Sequence, residues 1–204
     1  MEQQIEKTPE ENFDLIQRKA KALSASTMIP KDYQNNIPNT LVALEMAHRI
    51  GASPLMVMQN LHIIHGKPSW SSTFIIAALN ACGRFTALRF KTTKDSCQAI
   101  ATEHATGELL EGPLITLEMA KAEGWATKPG SKWKTMPDLM MRYRAAAFFG
   151  RLYAPEIMMG MHSEFENQDI QPEGVNRVQA LLMPNNQNHS NDSSSPDQNP
   201  EMTE

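Results

Sequence analysis

Lys128, Lys132, Trp133 and Lys134 fall in one short run broken by Pro129 and Gly130, and Arg142, Arg144 and Arg151 follow close behind. Cations at this density neutralise phosphates, and a tryptophan among them offers a flat face to a base. Upstream, Lys67 marks a predicted hairpin tip with Trp70 just after it, and Arg84 precedes Phe85. Arg89 and Lys91 are two apart in a strand-like run, which puts both on one face. Each of these residues taken singly reads as readily as a solvated charge or a core aromatic. Trp70, flanked by serines, fits a core position equally well. Their concentration in one part of the chain favours polyanion binding.

The charge distribution points the same way. The 204 residues carry a net charge of −4, but unevenly. Residues 1–66 hold 6 Lys/Arg and 7 Asp/Glu, residues 67–151 hold 12 and 7, and residues 152–204 hold 1 and 9. A basic middle at net +5 thus precedes an acidic end at net −8. A merely solvated surface mixes its signs more evenly.

Catalytic constellations are scarce. Gly66-Lys67 is followed by Pro68, and Leu61 stands where a Walker loop needs its first glycine. No G-x-G-x-x-G, G-x-S-x-G or zinc-type cysteine cluster occurs. His62 and His65 are three apart in a predicted strand, so they point to opposite faces and do not share a metal. Glu103, Glu108 and Glu111 could gather near a hairpin, but their spacing does not compel the carboxylate cluster of a two-metal nuclease. Cys82 has no evident base beside it. The 14 methionines read as core or adaptable contact surface. No catalytic residue, metal site or cofactor is expected.

The elements that must position the cations can be read from caps and periodicity. Thr135, with Asp138 three residues on and Pro137 in the first turn, predicts the start of a helix that Pro155 stops. At about 100° per residue, Leu139, Tyr143, Ala146 and Gly150 form one apolar stripe, and Met141, Phe148 and Leu152 a second, nearly opposite. Arg144 and Arg151 lie nearly aligned between them, so the helix is expected to pack on two sides with arginines at a seam. Before it, Thr8-Pro9 predicts a first helix, Asn39 caps a second over 40–50, and Ser53-Pro54 opens a short third. A hairpin follows, with strands at Leu61–His65 and Pro68–Ser71 and a turn at Gly66-Lys67. Ser72 caps a helix to Cys82, strands cover 86–93, 97–104 and 109–112, and Thr116 caps a helix to about Glu123.

That order is not a βαβ alternation. It predicts an α+β fold, with an antiparallel sheet made of the hairpin and a three-stranded meander and with helices packed on it. The expected organisation is an N-terminal helix and connection over 1–38, a core over 39–160, and an acidic, largely disordered tail over 161–204. Within that tail Val175, Val178, Leu181 and Leu182 share a helical face. A short helix at 175–183 would either dock on the body or bind a partner. Two cysteines, an acidic and polar N-terminus and no apolar run of about 20 residues suggest a reduced cytoplasmic setting without signal peptide or membrane span.

The run Leu41 to Pro54, LVALEMAHRIGASP, resembles the helix and "LG-x-x-P" opening of the RecT family of phage single-strand annealing proteins. The hairpin from Leu61 to Trp70 is similar to that family's strand pair. Cys82-Gly83-Arg84-Phe85 resembles its "R-x-G-x-[FY]" helix stop, and Trp133, Met140 and Arg142 resemble its W-x6-M-x-[KR] element. The resemblance spans about Thr40 to Pro155. It implies a fold shared with the phage lambda beta protein and the eukaryotic strand-annealing proteins. It further implies rings or helical filaments, annealing of complementary single strands without ATP in phage or prophage recombination, and a partner exonuclease. By this resemblance the DNA-binding residues are Lys67, Arg84, Arg89, Lys132, Trp133, Lys134, Arg142, Arg144 and Arg151, to which the strand spacing adds Lys91. Where relatives carry a further basic residue late in the last helix, this chain has Ala147, bracketed by Arg144 and Arg151.

The resulting expectation is a homo-oligomeric single-stranded DNA-binding and annealing protein of the bacterial host's cytoplasm, without bond-breaking chemistry. Its C-terminal region would meet an exonuclease or a host single-strand-binding protein. The rival readings are a metal-dependent DNA-processing enzyme and an interaction or scaffold protein with no DNA affinity.

Overall fold

The computed structural model describes residues 9–170. Helix α1 (Pro9–Ser24) begins at the proline that predicts it; the Thr8 cap lies outside the described residues. Helix α2 (Ile37–Ile50) packs on α1. Its cap is Asn36, not Asn39: Asn36 Oδ1 accepts the Asn39 N–H at 3.1 Å. Pro38 then sits inside the first turn, where a missing N–H is no loss. Gly51 ends the helix at φ 66°, the left-handed stop that glycine adopts without strain. Helix α3 (Pro54–Asn60) runs straight into strand β1 (Leu61–Ile64).

Strand β1 pairs antiparallel with β2 (Lys67–Trp70) around His65 and Gly66, at φ 51° and 74°. Two successive positive φ values match the twist of a tight hairpin. The turn therefore falls one residue earlier than expected, and Lys67 is the first residue of β2. Helix α4 (Ser72–Ala81) is capped by Ser71, whose Oγ accepts the Phe74 N–H at 3.1 Å, and not by Ser72. The meander follows as β3 (Arg89–Thr92), β4 (Ser96–Thr102) and β5 (Leu109–Glu111), shorter than expected at most ends. A two-residue strand β6 (Ile115–Thr116) pairs with the start of β4. Helix α5 (Leu117–Ala122) takes the expected cap, Thr116 Oγ1 accepting the Met119 N–H.

The expected basic loop contains one helical turn, α6 (Lys132–Thr135), with Ser131 as its cap. Thr135 lies inside that turn, so it does not cap α7 (Pro137–Tyr153); Met136 holds that position without a side-chain hydrogen bond. After α7 come α8 (Pro155–Met158), β7 (His162–Ser163) and α9 (Glu164–Asp169).

The class is α+β, with antiparallel pairs predominating. The strands form two sheets, however, not one. One has the order β1-β2-β7 and the other β3-β4-β5, with β6 also on β4. Strand β7 runs parallel to β2 and anchors a segment that composition assigns to the tail. The tail therefore does not begin at 161. The expected helix at 175–183 and the expected disorder after 170 lie outside the described residues.

Helix α7 is the core around which the β3-β4-β5 sheet and helices α4, α6 and α8 pack. Met140, Met141, Arg144, Ala145, Ala146, Ala147, Phe149 and Gly150 are all buried. Two narrow stripes do not describe it: Leu139 and Leu152, one from each stripe, are exposed. Ala145, Ala146 and Ala147 are fully buried, and both β4 and α4 pack on this helix. A Cβ on Gly150 would lie 2.9 Å from the Met158 sulfur, so that glycine admits α8. Trp70 is a core residue, 1% exposed and stacked on Phe74 at 4.6 Å. Among the described residues no helix is long and apolar enough to cross a membrane.

Candidate nucleic-acid interface

Strand β4 alternates Cys97, Ala99 and Ala101, buried, with Gln98, Ile100 and Thr102, half-buried. The buried set faces α7. Arg89 stands opposite Ile100 and Lys91 opposite Gln98, so both cations project from the sheet face away from α7. Lys91 pairs across β4 with Glu111 of β5. Phe90 lies between the two cations on the inner side, and the Arg142 guanidinium of α7 sits 5.8 Å from its ring centre. Strand β3 is thus flanked by Arg89 and Lys91 on one face and Arg142 on the other.

The turn α6 displays Lys132 and Lys134 to solvent while Trp133 between them points inward. Ser131 arranges this: its Oγ accepts the Trp133 N–H and its own O–H donates to the Trp125 carbonyl at 2.6 Å. Lys134 borders a shallow groove of about 650 Å³, whose floor includes Leu117, Ala126 and Pro137 and whose other cation is Lys121. Lys67 stands apart, exposed at the hairpin tip of the other sheet.

Trp133, Arg144 and Arg151 are placed differently from expectation. Trp133 is 3% exposed, and its Nε1–H donates to Asp169 Oδ2 at 3.0 Å. Its faces are taken by Trp125, 5.3 Å away between ring centres, and by Arg144. Arg144 is 5% exposed; it lies 3.8 Å over the Trp125 ring and pairs with Asp169 at 2.5 Å. Arg151 pairs with Glu166 at 2.6 Å and lies over Phe148. Trp133 is enclosed and both arginines are paired with acids, so none of the three stands free at the surface as the sequence reading expects. Helix α9 brings two carboxylates onto the arginine row of α7, and no local pattern links residues so far apart in sequence.

Burial governs the electrostatics of this cluster. It pushes the Asp169 carboxyl above the usual aspartate range, against the opposing pull of the Trp133 N–H, Arg144 and Lys128. It lowers the Arg144 pKa, against the stabilising fields of Glu166 and Asp169. Lys128 donates to the Gln168 carbonyl at 3.1 Å and to the Asp169 carbonyl, so it closes the C-terminus of α9.

Arg84 is exposed but engaged, with Glu156 at 2.6 Å and Glu103 at 3.4 Å. Those bonds to carboxylates, Glu156 first, raise its pKa. Of the expected set, Lys67, Arg89, Lys132, Lys134 and Arg142 are exposed, and among the described residues none of these five is in an ion pair. The residues that reading by pattern overlooks are Trp125, Lys121, Glu166 and Asp169. The one signal for the two acids was their place in the acidic segment that follows residue 151.

Among the described residues no group of three His, Cys, Asp or Glu side chains gathers as a metal site would require. Glu103 and Glu111 are instead tied separately, to Arg84 and Lys91. His62 meets Glu164 at 3.4 Å. Cys82 donates its S–H to the Leu79 carbonyl at 3.1 Å. Compared with family models and with curated proteins, the chain gives no match.

Proposed function

We propose that the chain binds single-stranded DNA and anneals complementary strands without ATP, as an oligomer, in recombination of a phage or prophage. The observation that carries this reading is the set of five exposed cations, Lys67, Arg89, Lys132, Lys134 and Arg142, with no ion-pair partner among the described residues. The net +5 of residues 67–151 supports it. So does the resemblance to RecT-family annealing proteins, from which an annealing-type fold, a partner exonuclease or host single-strand-binding protein, and a cytoplasmic setting follow.

The mechanism needs no broken bond. Phosphates lie against the lysines and arginines, the bases stay open, and a second strand is selected by pairing alone. Repeated subunits then hold the nascent duplex.

Binding of a labelled oligonucleotide tests this. Affinity should fall linearly with salt on logarithmic axes, by about 0.7 per phosphate engaged on a single strand. Lys132→Ala with Lys134→Ala should weaken binding and reduce that slope by about 1.4. Complementary strands should pair faster in the protein's presence without nucleotide. No affinity at low salt, with one strand or two, would defeat the proposal and leave a scaffold role. Cleavage of the oligonucleotide with added Mg²⁺ or Mn²⁺ would favour a nuclease instead.

A further inference from the structure

Helix α9 is held to the body by polar groups rather than by an apolar face. Its buried residues are Glu166 and Asn167. Glu166 meets Arg151, Asp169 meets Arg144 and the Trp133 N–H, and Asn167 Nδ2 donates to Ser69 Oγ at 2.7 Å. Glu164 meets His62 and accepts the Ser72 N–H at 3.3 Å. The apolar share is small: Phe165, half-buried, stacks on Tyr143 at 5.7 Å between ring centres. Six residues do not hold a helix by themselves. The segment's carboxylates answer the arginines of α7, and Asn167, Glu164 and Lys128 add further polar contacts.

Those arginines are themselves arranged for an extended anion. Arg144 and Arg151 are seven positions apart, so they lie nearly in line and about 10.5 Å apart along the helix. Guanidinium groups donate to carboxylate and phosphate oxygens through the same forked N–H groups. A contact built from charge, with little apolar burial, is one that another polyanion can exchange.

We propose that Arg144 and Arg151 form a latent phosphate-binding row, and that α9 is an exchangeable strap whose Asp169 and Glu166 occupy it until single-stranded DNA displaces them. The proposal rests on the DNA-binding reading above. In the closed state only the exposed cations engage DNA. Opening adds two phosphate contacts, and the strap lowers apparent affinity by the fraction of molecules that are open. The acidic segment thereby acts as a competitor built into the chain, which favours long or concentrated single strands over incidental anions.

The test uses the full chain carrying Asp169→Asn and Glu166→Gln, which keep shape and one acceptor oxygen each but remove charge. Binding to a labelled oligothymidine at low salt should tighten at least about tenfold over the unaltered chain. The salt slope should steepen by about 1.4, for two further phosphates. A charge-matched variant, Glu108→Gln with Glu123→Gln, removes two exposed acids elsewhere and should give a smaller change in affinity. Equal or weaker binding by a folded strap variant, or an equal gain from the charge-matched one, would overturn the strap. Hydrogen exchange on the unaltered chain reads the same event if the variant does not fold: backbone amides of 164–170 should lose protection when oligothymidine is bound, and undiminished protection would also overturn it. If neither the unaltered chain nor the strap variant binds, the DNA-binding reading fails and the strap with it. If the unaltered chain binds while α9 stays protected, the strap alone fails.

Discussion

The fate of each cation is decided by which acid reaches it. Arg142 and Arg144 are two residues apart on one helix, yet Arg142 is exposed beside Phe90 while Arg144 is enclosed by Trp125, Trp133 and Asp169. Removing Asp169 outright would strip a buried charge of its paired carboxylate and leave it only the field of Glu166, and breaking buried pairs of this kind costs about 3–5 kcal/mol. That dependence follows from desolvation, which also displaces both pKa values. A second buried group gives a cleaner titration. The Tyr33 O–H donates to the Leu61 carbonyl at 2.8 Å, and burial, with the nearby Asp32 charge, pushes its pKa up to about 12. The unfolded chain gives up this proton near pH ~10 and the folded chain does not. Stability from Tyr33 is therefore complete below about pH 10 and is lost as pH rises towards 12. Denaturant unfolding between about pH 8 and about pH 11 should show that decline, and Tyr33→Phe should flatten it while costing about 1 kcal/mol at neutral pH for the lost hydrogen bond. The same slope in the Phe variant would assign the decline to other groups.

At the scale of elements, the positions of helices follow from apolar spacing, whereas their first residues follow from which side chain reaches a free N–H. For α2 the sequence points to Asn39, but geometry selects Asn36, and Asn39 Nδ2 instead donates to the Asp32 carbonyl at 3.1 Å. Asn36→Ala should lower stability by about 1 kcal/mol, and Asn39→Ala by less. Thermal unfolding of the two variants side by side checks the order, and equal effects would contradict the assignment. The turn α6 is a similar case. The sequence points to Thr135 as a helix start, but Ser131 caps the turn, and its bond to Trp125 goes with an inward-facing Trp133. That orientation moves a tryptophan from a stacking surface for bases to a wall around Arg144.

For the whole molecule, the boundary between body and tail is the consequential revision. The acidic composition that begins after α7 suggests a tail from 161, but β7 pairs with β2 and α9 answers two arginines. The two chains to compare end after Ile170 and after Gly160. Ending the chain after Gly160 should lower the unfolding transition and, through the freed arginines, raise affinity for single-stranded DNA. A transition indifferent to the loss of 161–170 would return that segment to the tail. Calorimetry on the two truncations decides between these outcomes.

The α+β class, the hairpin, the meander, the long helix before Pro155 and the basic middle of the chain were all legible in the sequence. Caps, periodicity and charge are local quantities, and each acts over a few residues. Three features required the tertiary structure: the division of the strands into two sheets, the burial of Trp133 and Arg144, and the pairing of α7 with α9. These depend on contacts between residues distant in the chain, such as Asn167 with Ser69 or Asp169 with Trp133, for which neighbouring sequence carries no signal. An exposed arginine and an enclosed one read alike until the chain folds and an acid either reaches them or does not.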